Sequence, residues 1–172
     1  NHNVGRISIN PQTFSDSVLK AIGRCHTASL TEGKYLLARE IGFDSINMDL
    51  IAGLDGESFL DFKASLDKAI ELSPDNITVH TLCIKKGSKL AETENRLAGQ
   101  EVEKMVYYAN TTLIEAGYNP YYLYRQKYMA GNLENVGYSK KGKECVYNVN
   151  VMEEISSTVA CGANAISKRV FD

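Results

Sequence analysis

The chain has 172 residues, which is long enough to bury a sizeable hydrophobic core and is most simply one domain. Its composition is 44% hydrophobic and 23% charged, with a formal net charge of −2. These values exclude a disordered chain and disfavour a general nucleic-acid-binding protein. The sequence has no run of 18 apolar residues, so no transmembrane helix is expected. Four scattered cysteines favour a reduced, cytoplasmic location over a disulfide framework.

Hydrophobic periodicity predicts alternating strands and helices along the first half of the chain. Strands are predicted at residues 6–10, 45–51 and 77–83. Helices are predicted after residue 15, at 31–41, and from about 59 until the Ser73-Pro74 break. Since parallel strands need right-handed helical crossovers, this order predicts a parallel sheet or partial barrel with helices outside.

The second half of the chain changes character after a further predicted helix at residues 101–116. Nine of the ten tyrosines lie between Tyr107 and Tyr147, interleaved with lysines and Arg125. We expect extended structure and loops at residues 118–142, then a short helix and a strand within 152–170. The sequence therefore predicts two regions, 1–117 and 118–172.

Polar residues at the predicted connections mark a candidate site. Gln12 follows the first strand, Arg24 follows a helix, and Asp49 lies near the exit of the second strand. Side chains at the carboxyl ends of parallel strands share one edge of a sheet, where α/β proteins place their chemistry. An amide, a guanidinium and a carboxylate together suit a ligand with hydroxyl, ammonium and carboxylate groups. The alternative is that Gln12 is a turn residue, Arg24 a surface cation and Asp49 a structural acceptor.

The segments around these residues carry a resemblance to a known family. RISINPQTF, GRCHT and NMDLIAGL are similar to motifs of the oxygen-independent coproporphyrinogen III oxidase family of radical S-adenosylmethionine (SAM) enzymes. YYLYRQKYMAGNLENVGYSKKGKE and GANAIS resemble its coproporphyrinogen dehydrogenase branch. The resemblance covers nearly the whole chain. It implies an α/β fold, the C-terminal part of a radical SAM partial (β/α) barrel with an appended α+β segment.

The resemblance also implies roles for single residues. The positions that match SAM contacts in the family are Gln12, Arg24 and Asp49, with backbone contacts at Cys83 and Ile166. Cys83 is also readily a buried core thiol, since free cysteine packs as a small hydrophobe. His26 could approach substrate or be a loop residue with an ordinary hydrogen bond. His80, which alternates with apolar neighbours on the third strand, is interpreted as structural.

The tyrosine-rich and basic segment has three interpretations. Tyrosine rings could pack a flat macrocycle while Arg125 and Lys127 pair with its propionate groups. The same residues could stack bases and hold the phosphates of single-stranded nucleic acid. They could also be half-buried tyrosines of an α+β tail. The resemblance favours the macrocycle, and the net charge disfavours nucleic acid.

Cysteine spacing limits what this chain does alone. A radical SAM enzyme binds three irons of a 4Fe-4S cluster with three closely spaced thiolates. Cys25, Cys83, Cys145 and Cys161 lie at least sixteen residues apart, so the chain is expected to hold no cluster by itself and to be part of a longer enzyme. The glycines of AGLDGES are interpreted as a strand-to-helix turn. The family usually has proline, glycine and glutamine there.

The resemblance implies that the longer parent cleaves SAM reductively and oxidatively decarboxylates coproporphyrinogen III to protoporphyrinogen IX in haem biosynthesis. Its implied cofactors are SAM and a 4Fe-4S cluster, and its implied partners are the tetrapyrrole substrate and an electron donor. Two alternatives remain: a haem chaperone of the same superfamily, and a nucleic-acid-binding module. No membrane partner is expected. The exposed edge of an incomplete barrel predicts self-association.

Overall fold

The computed structural model describes residues 4–82, 99–125 and 133–171. The elements in chain order are β1 (Arg6–Ser8), α1 (Asp16–Ala21), α2 (Ala28–Ile41), β2 (Ser45–Ala52), α3 (Phe59–Leu72), β3 (Asn76–Thr81), α4 (Gly99–Glu115), β4 (Asn119–Tyr124), β5 (Asn135–Ser139) and α5 (Val146–Met152). The strands and helices predicted up to residue 116 are confirmed, with ends displaced by a few residues. No helix of the described residues is long and apolar enough to span a membrane.

The five strands form one mixed sheet in the order β1-β2-β3-β5-β4. β1, β2 and β3 are parallel, as the βα alternation predicts. β5 is antiparallel to both β3 and β4, so β4 runs in the direction of the first three strands. The α/β fold class is therefore confirmed, with one antiparallel strand inserted near the end of the sheet.

The two faces of the sheet differ in chemistry because strand residues alternate in direction. One face packs under α3 and α4 and forms the hydrophobic core, which includes Ile46, Met48, Leu50, Phe62, Leu66, Ile77, Met105 and Leu113. The other face of β2 and β3 carries polar residues: Asn47, Asp49, Asn76, Thr78 and His80. This polar face on otherwise buried strands is therefore the part of the sheet whose side chains can bind a ligand.

Local capping fixes where the helices begin and end. The Thr27 side chain accepts a hydrogen bond from the Leu30 N–H at the start of α2, and Gly42 ends this helix at φ 91°. Ser58 and Asp61 form a reciprocal capping box at the start of α3. The turn that begins at Gly53 therefore leads from strand to helix, as interpreted from the sequence.

The C-terminal prediction is partly wrong. The helix predicted to begin at Met152 instead ends there, and the strand predicted after it is reduced to one bridge between Thr158 and Lys168. Asn148 of α5 donates a hydrogen bond to the Tyr121 hydroxyl, which ties the helix to β4. The following residues have little surface to pack against, since Val159 and Ile166 are about 85% exposed. The proposed boundary at residue 117 stays a prediction, although β4 and β5 extend the same sheet as β1–β3.

Candidate functional site

Gln12 joins the loop after β1 to the middle of β2. Its N–H donates to the Asp49 carbonyl at 2.9 Å, and its carbonyl accepts from the Ile51 N–H at 2.9 Å. The backbone of Gln12 is left-handed, with φ 67°, a conformation that costs free energy for a residue other than glycine. The two hydrogen bonds to β2 offset this cost. The backbones of Gln12 and Asp49 are therefore direct neighbours, and a shared site for their side chains stays a prediction.

His26 connects a second loop to the same place. Its Nε2 lies 3.3 Å from the carbonyl oxygen of Pro11, which is the residue before Gln12. Arg24 lies two residues earlier, where its N–H donates to the Leu19 carbonyl and its side chain is exposed. The structure thus brings the loops of Gln12 and His26 together beside Asp49. It leaves the Arg24 side chain in solvent.

Asp49 is an ionised carboxylate on the polar face of the sheet. Its Oδ1 accepts a 2.8 Å hydrogen bond from Asn47 Nδ2, and its Oδ2 lies 3.7 Å from His80 Nε2. Burial acts to raise the pKa of Asp49, but the contacts with His80 and Asn47 together outweigh it and hold the pKa below its usual value. Its side chain is 21% exposed. A charged acceptor is therefore open to a ligand.

Tyrosines of β4 extend this polar group across the sheet. Tyr124 Oη lies 3.2 Å from His80 Nδ1, and Tyr122 Oη lies 3.3 Å from Thr78 Oγ1. The rings of Tyr122 and Tyr124 are parallel within 5°, with centroids 6.3 Å apart. Thr78 in turn donates to Asn47 Oδ1 at 3.2 Å, which closes the connection to Asp49 through Asn47.

Sequence reasoning missed most of this network, and it interpreted His80 as structural. The available signal was the two-residue period: Asn47 and Asp49 on β2 share a face with Thr78 and His80 on β3 once the strands are paired. The register of β4 could not be read in the same way. A bulge between Pro120 and Tyr122 shifts its alternation.

The remaining predicted site residues lie elsewhere or outside the description. Ile166 is exposed in the C-terminal segment, with no recorded contact to Asp49 among the described residues. Arg125 follows β4 and pairs with Glu134 at 3.0 Å, its side chain 58% exposed. Cys83 and Lys127 lie outside the described residues. Cys25 and Cys161 are exposed and Cys145 is partly buried.

The turn between β2 and α3 contains a buried acid that the sequence interpretation did not single out. Glu57 is 1% exposed, and neither carboxyl oxygen has a hydrogen-bond partner among the described residues. Burial raises its pKa to about 8. Asp61 receives the N–H of Ser58 at the start of α3, so this helix end is occupied by its own carboxylate. A phosphate-binding loop is not supported here.

Known proteins resemble this chain in fold and in sequence. No protein-family model matches the chain. The fold is similar to that of the Escherichia coli coproporphyrinogen III oxidase HemN, described as a radical SAM enzyme, with a TM-score of 0.74 and 21% identity over 96% of this chain and 39% of that one. This likeness shows the fold: the α/β architecture of a radical SAM protein, over its C-terminal part.

Two curated relatives are similar in sequence. The oxygen-independent coproporphyrinogen-III oxidase-like protein HemZ of Bacillus subtilis is 47% identical over 97% of this chain and 34% of its own length. The heme chaperone HemW of Haemophilus influenzae is 29% identical over 96% of this chain and 40% of its own length. The resemblance of the sequence motifs to the oxygen-independent coproporphyrinogen III oxidase family is therefore confirmed. The chain spans about a third to two fifths of the length of these relatives.

Proposed function

We propose that this chain forms the SAM-contacting and substrate-facing part of a radical SAM oxidoreductase that oxidatively decarboxylates coproporphyrinogen III. The observation that carries the proposal is the ionised, partly exposed Asp49 carboxylate on the polar face of the sheet, beside the strained Gln12 turn. The family relationship to an oxidase-like protein supports the reaction class.

The residues at this face fit SAM as a ligand. Asp49 offers a charged acceptor for hydroxyl or ammonium groups, and Gln12, whose backbone N–H donates to the Asp49 carbonyl, is half-buried after β1. Arg24, on the adjoining loop, is free in solvent to turn toward a carboxylate. When bound, SAM supplies the radical chemistry of the reaction, and the protein contributes orientation and electrostatics.

The cluster has no matching site in the described residues. Within residues 4–82, 99–125 and 133–171, no three histidine, cysteine or acidic side chains come together as metal ligands. The cluster ligands are proposed to lie in the rest of the longer protein.

A flat tetrapyrrole is proposed to meet the tyrosines of β4. Tyr122 and Tyr124 present parallel rings at the same face as Asp49, and burial raises the pKa of Tyr122 to about 12. Both hydroxyls therefore stay protonated near neutral pH and act as neutral donors. Arg125 follows directly and can pair with a propionate when it releases Glu134, since this ion pair is exposed and weak.

The test uses the full-length protein, reconstituted anaerobically with SAM and an electron donor. We expect coproporphyrinogen III to lose carbon dioxide, and we expect Asp49→Asn to weaken binding of S-adenosylhomocysteine by about tenfold or more, since a charge-assisted contact is lost. Asp49→Asn binding equal to that of the unaltered protein would contradict the assignment of Asp49.

A haem chaperone is the second candidate, and the similarity to HemW favours it. It predicts tight haem binding by the full-length protein without porphyrinogen turnover. Measuring haem binding and decarboxylation on one preparation separates the two functions. A nucleic-acid-binding role predicts instead an affinity for single strands that falls steeply with salt.

A further inference from the structure

His80 stands between Asp49 and Tyr124 on the polar face. Asp49 pairs with Thr78 in the parallel register of β2 and β3, which places His80 one side-chain position further along β3 on the same face. Its Nε2 lies 3.7 Å from Asp49 Oδ2, and its Nδ1 lies 3.2 Å from Tyr124 Oη. The two ring nitrogens therefore face two different groups, an acceptor and a hydroxyl.

The chemistry of these neighbours selects one form of the imidazole. Burial, then the Asp49 charge, raise the pKa of Tyr124, so its hydroxyl keeps its proton and can donate it to Nδ1. The neutral ring then carries its own proton on Nε2, which faces the carboxylate. A neutral His80 thus presents an N–H to Asp49. A protonated His80 presents a positive charge to the same oxygen.

The groups around His80 leave few other charges to mask that change. β2 contributes Asp49, and β4 contributes Tyr122 and Tyr124, both with raised pKa values. β5 pairs with β3 and places Gly137 opposite Thr78. Among the described residues, the charged group that faces His80 is therefore Asp49.

We propose that His80 is a positioning residue that sets the orientation and the effective charge of Asp49, so that ligand affinity at Asp49 depends on whether His80 is protonated. The proposal rests on the proposed function, in which Asp49 accepts from a hydroxyl or ammonium group of SAM. Neutral His80 holds the carboxylate toward the ligand without neutralising it. Protonated His80 becomes a competing cation, and the affinity for the ligand falls.

The experiment measures binding of S-adenosylhomocysteine to the full-length protein by calorimetry across the range in which histidine titrates. For the unaltered protein we expect affinity to fall about five- to tenfold from about pH 8 to about pH 5.5. His80→Gln places an amide nitrogen near the position of Nε2 and does not titrate. We expect it to keep the affinity at about pH 8 within about twofold and to abolish the pH dependence.

Two further variants test the two contacts of the ring. His80→Phe removes the N–H and is expected to weaken binding about fivefold at every pH, because the carboxylate loses a donor. Tyr124→Phe removes the hydroxyl that donates to Nδ1, so the imidazole proton is no longer held on Nε2. We expect this variant to weaken binding about two- to threefold. Tyr107→Phe, which alters an exposed tyrosine of α4, is the matched control and should change nothing.

The outcomes separate this inference from the function on which it rests. Full binding by Asp49→Asn would overturn the proposed function. Loss of binding in Asp49→Asn, with an unchanged pH dependence in His80→Gln, would overturn only the role of His80. A nuclear magnetic resonance measurement of the imidazole nitrogens gives a result that does not depend on how a variant folds. A proton found on Nδ1 of neutral His80 in the unaltered protein would contradict the proposal.

Discussion

At the residue scale, Glu57 is the most unusual side chain of the described structure. It is 1% exposed with no hydrogen-bond partner for its carboxyl oxygens, although a charged carboxylate is costly to bury. Burial raises its pKa from the ordinary 4.5 to about 8. The folded protein therefore keeps Glu57 protonated near neutral pH, at the turn that carries β2 into α3.

A raised carboxyl pKa makes stability fall as pH rises. Below about pH 4.5 Glu57 is protonated in both states, and above about pH 8 the folded state must bury or expel a charge. The free energy of unfolding should therefore drop between these values, by roughly 2 to 5 kcal/mol for a shift of this size. Glu57→Gln removes the titrating group and should abolish this drop, which urea unfolding at several pH values measures.

The matched control for this prediction is Glu115→Gln, because Glu115 is an exposed acid at the end of α4. We expect it to follow the pH dependence of the unaltered protein. If the unaltered protein and Glu57→Gln are equally stable at about pH 9, ionisation of Glu57 does not lower the free energy of unfolding. That result would contradict a raised pKa for Glu57 in the folded protein.

The candidate site was only partly predictable from sequence. Gln12 was found because it follows a strand, a position that periodicity gives, and Asp49 because the sequence predicted it near the exit of the second strand, although it lies inside β2. The partners of Asp49 come from other strands, and pairing is a property of the folded sheet. His80 could not be distinguished from an ordinary strand residue until β3 lay beside β2 and β4 lay across β5.

At the scale of elements, β4 and β5 depend on one glycine. A Cβ added to Gly137 would lie 1.8 Å from Cε1 of Tyr122, which no side-chain contact tolerates. The Tyr122 ring therefore lies flat over β5 and reaches Thr78 with its hydroxyl. The absence of a side chain at residue 137 thus positions the aromatic surface beside Asp49.

Gly137→Ala should push the Tyr122 ring out of this position and lower the free energy of unfolding by roughly 1 to 3 kcal/mol, the usual cost of overpacking. The cost should arise from Tyr122 and not from the strand. In a double-mutant cycle, Gly137→Ala should therefore cost much less in a Tyr122→Ala background. An equal cost in both backgrounds would assign the effect to the backbone of β5.

Elements were more predictable than sites because each carries its own signal. Ser58 and Asp61 cap the start of α3, and Ser73-Pro74 follows its end. Residues next to each end of the helix therefore specify where it begins and ends. α5 carries no such signal, since its N-cap residue Cys145 makes no side-chain capping hydrogen bond. It is helical where it packs along β4 through Asn148, a contact between distant residues that sequence periodicity does not show.

At the scale of the whole molecule, the cysteines predict a negative result for cluster assembly. Cys25 and Cys161 are exposed, Cys145 is partly buried, and successive cysteines of the chain are at least sixteen positions apart. Anaerobic reconstitution of this polypeptide with iron and sulfide should therefore leave it without the visible absorption of a 4Fe-4S cluster and unable to cleave SAM. A stable absorbing species that cleaves SAM would overturn this prediction.

The edge of the sheet at β1 is the other property of the whole molecule. β1 pairs with β2 on one side, and no described strand pairs with its other side. The Gly5 carbonyl and the Ile9 N–H bond to β2, so by alternation the backbone groups of Ser8 point away from the sheet. α2, which follows β1 in the sequence, also carries exposed apolar side chains: Leu30, Leu36, Leu37 and Ile41.

An unpaired strand edge is a template for pairing with another chain, and neighbouring apolar surface strengthens such an association. We therefore expect the 172-residue polypeptide to self-associate, with an average mass that rises with concentration in light scattering. Ser8→Pro removes one outward N–H without altering the apolar surface, and Leu37→Lys alters the apolar surface without touching the strand. If β1 pairs between copies, Ser8→Pro should restore a monomer and Leu37→Lys should not. A concentration-independent monomer, or one produced only by Leu37→Lys, would contradict association through the strand edge.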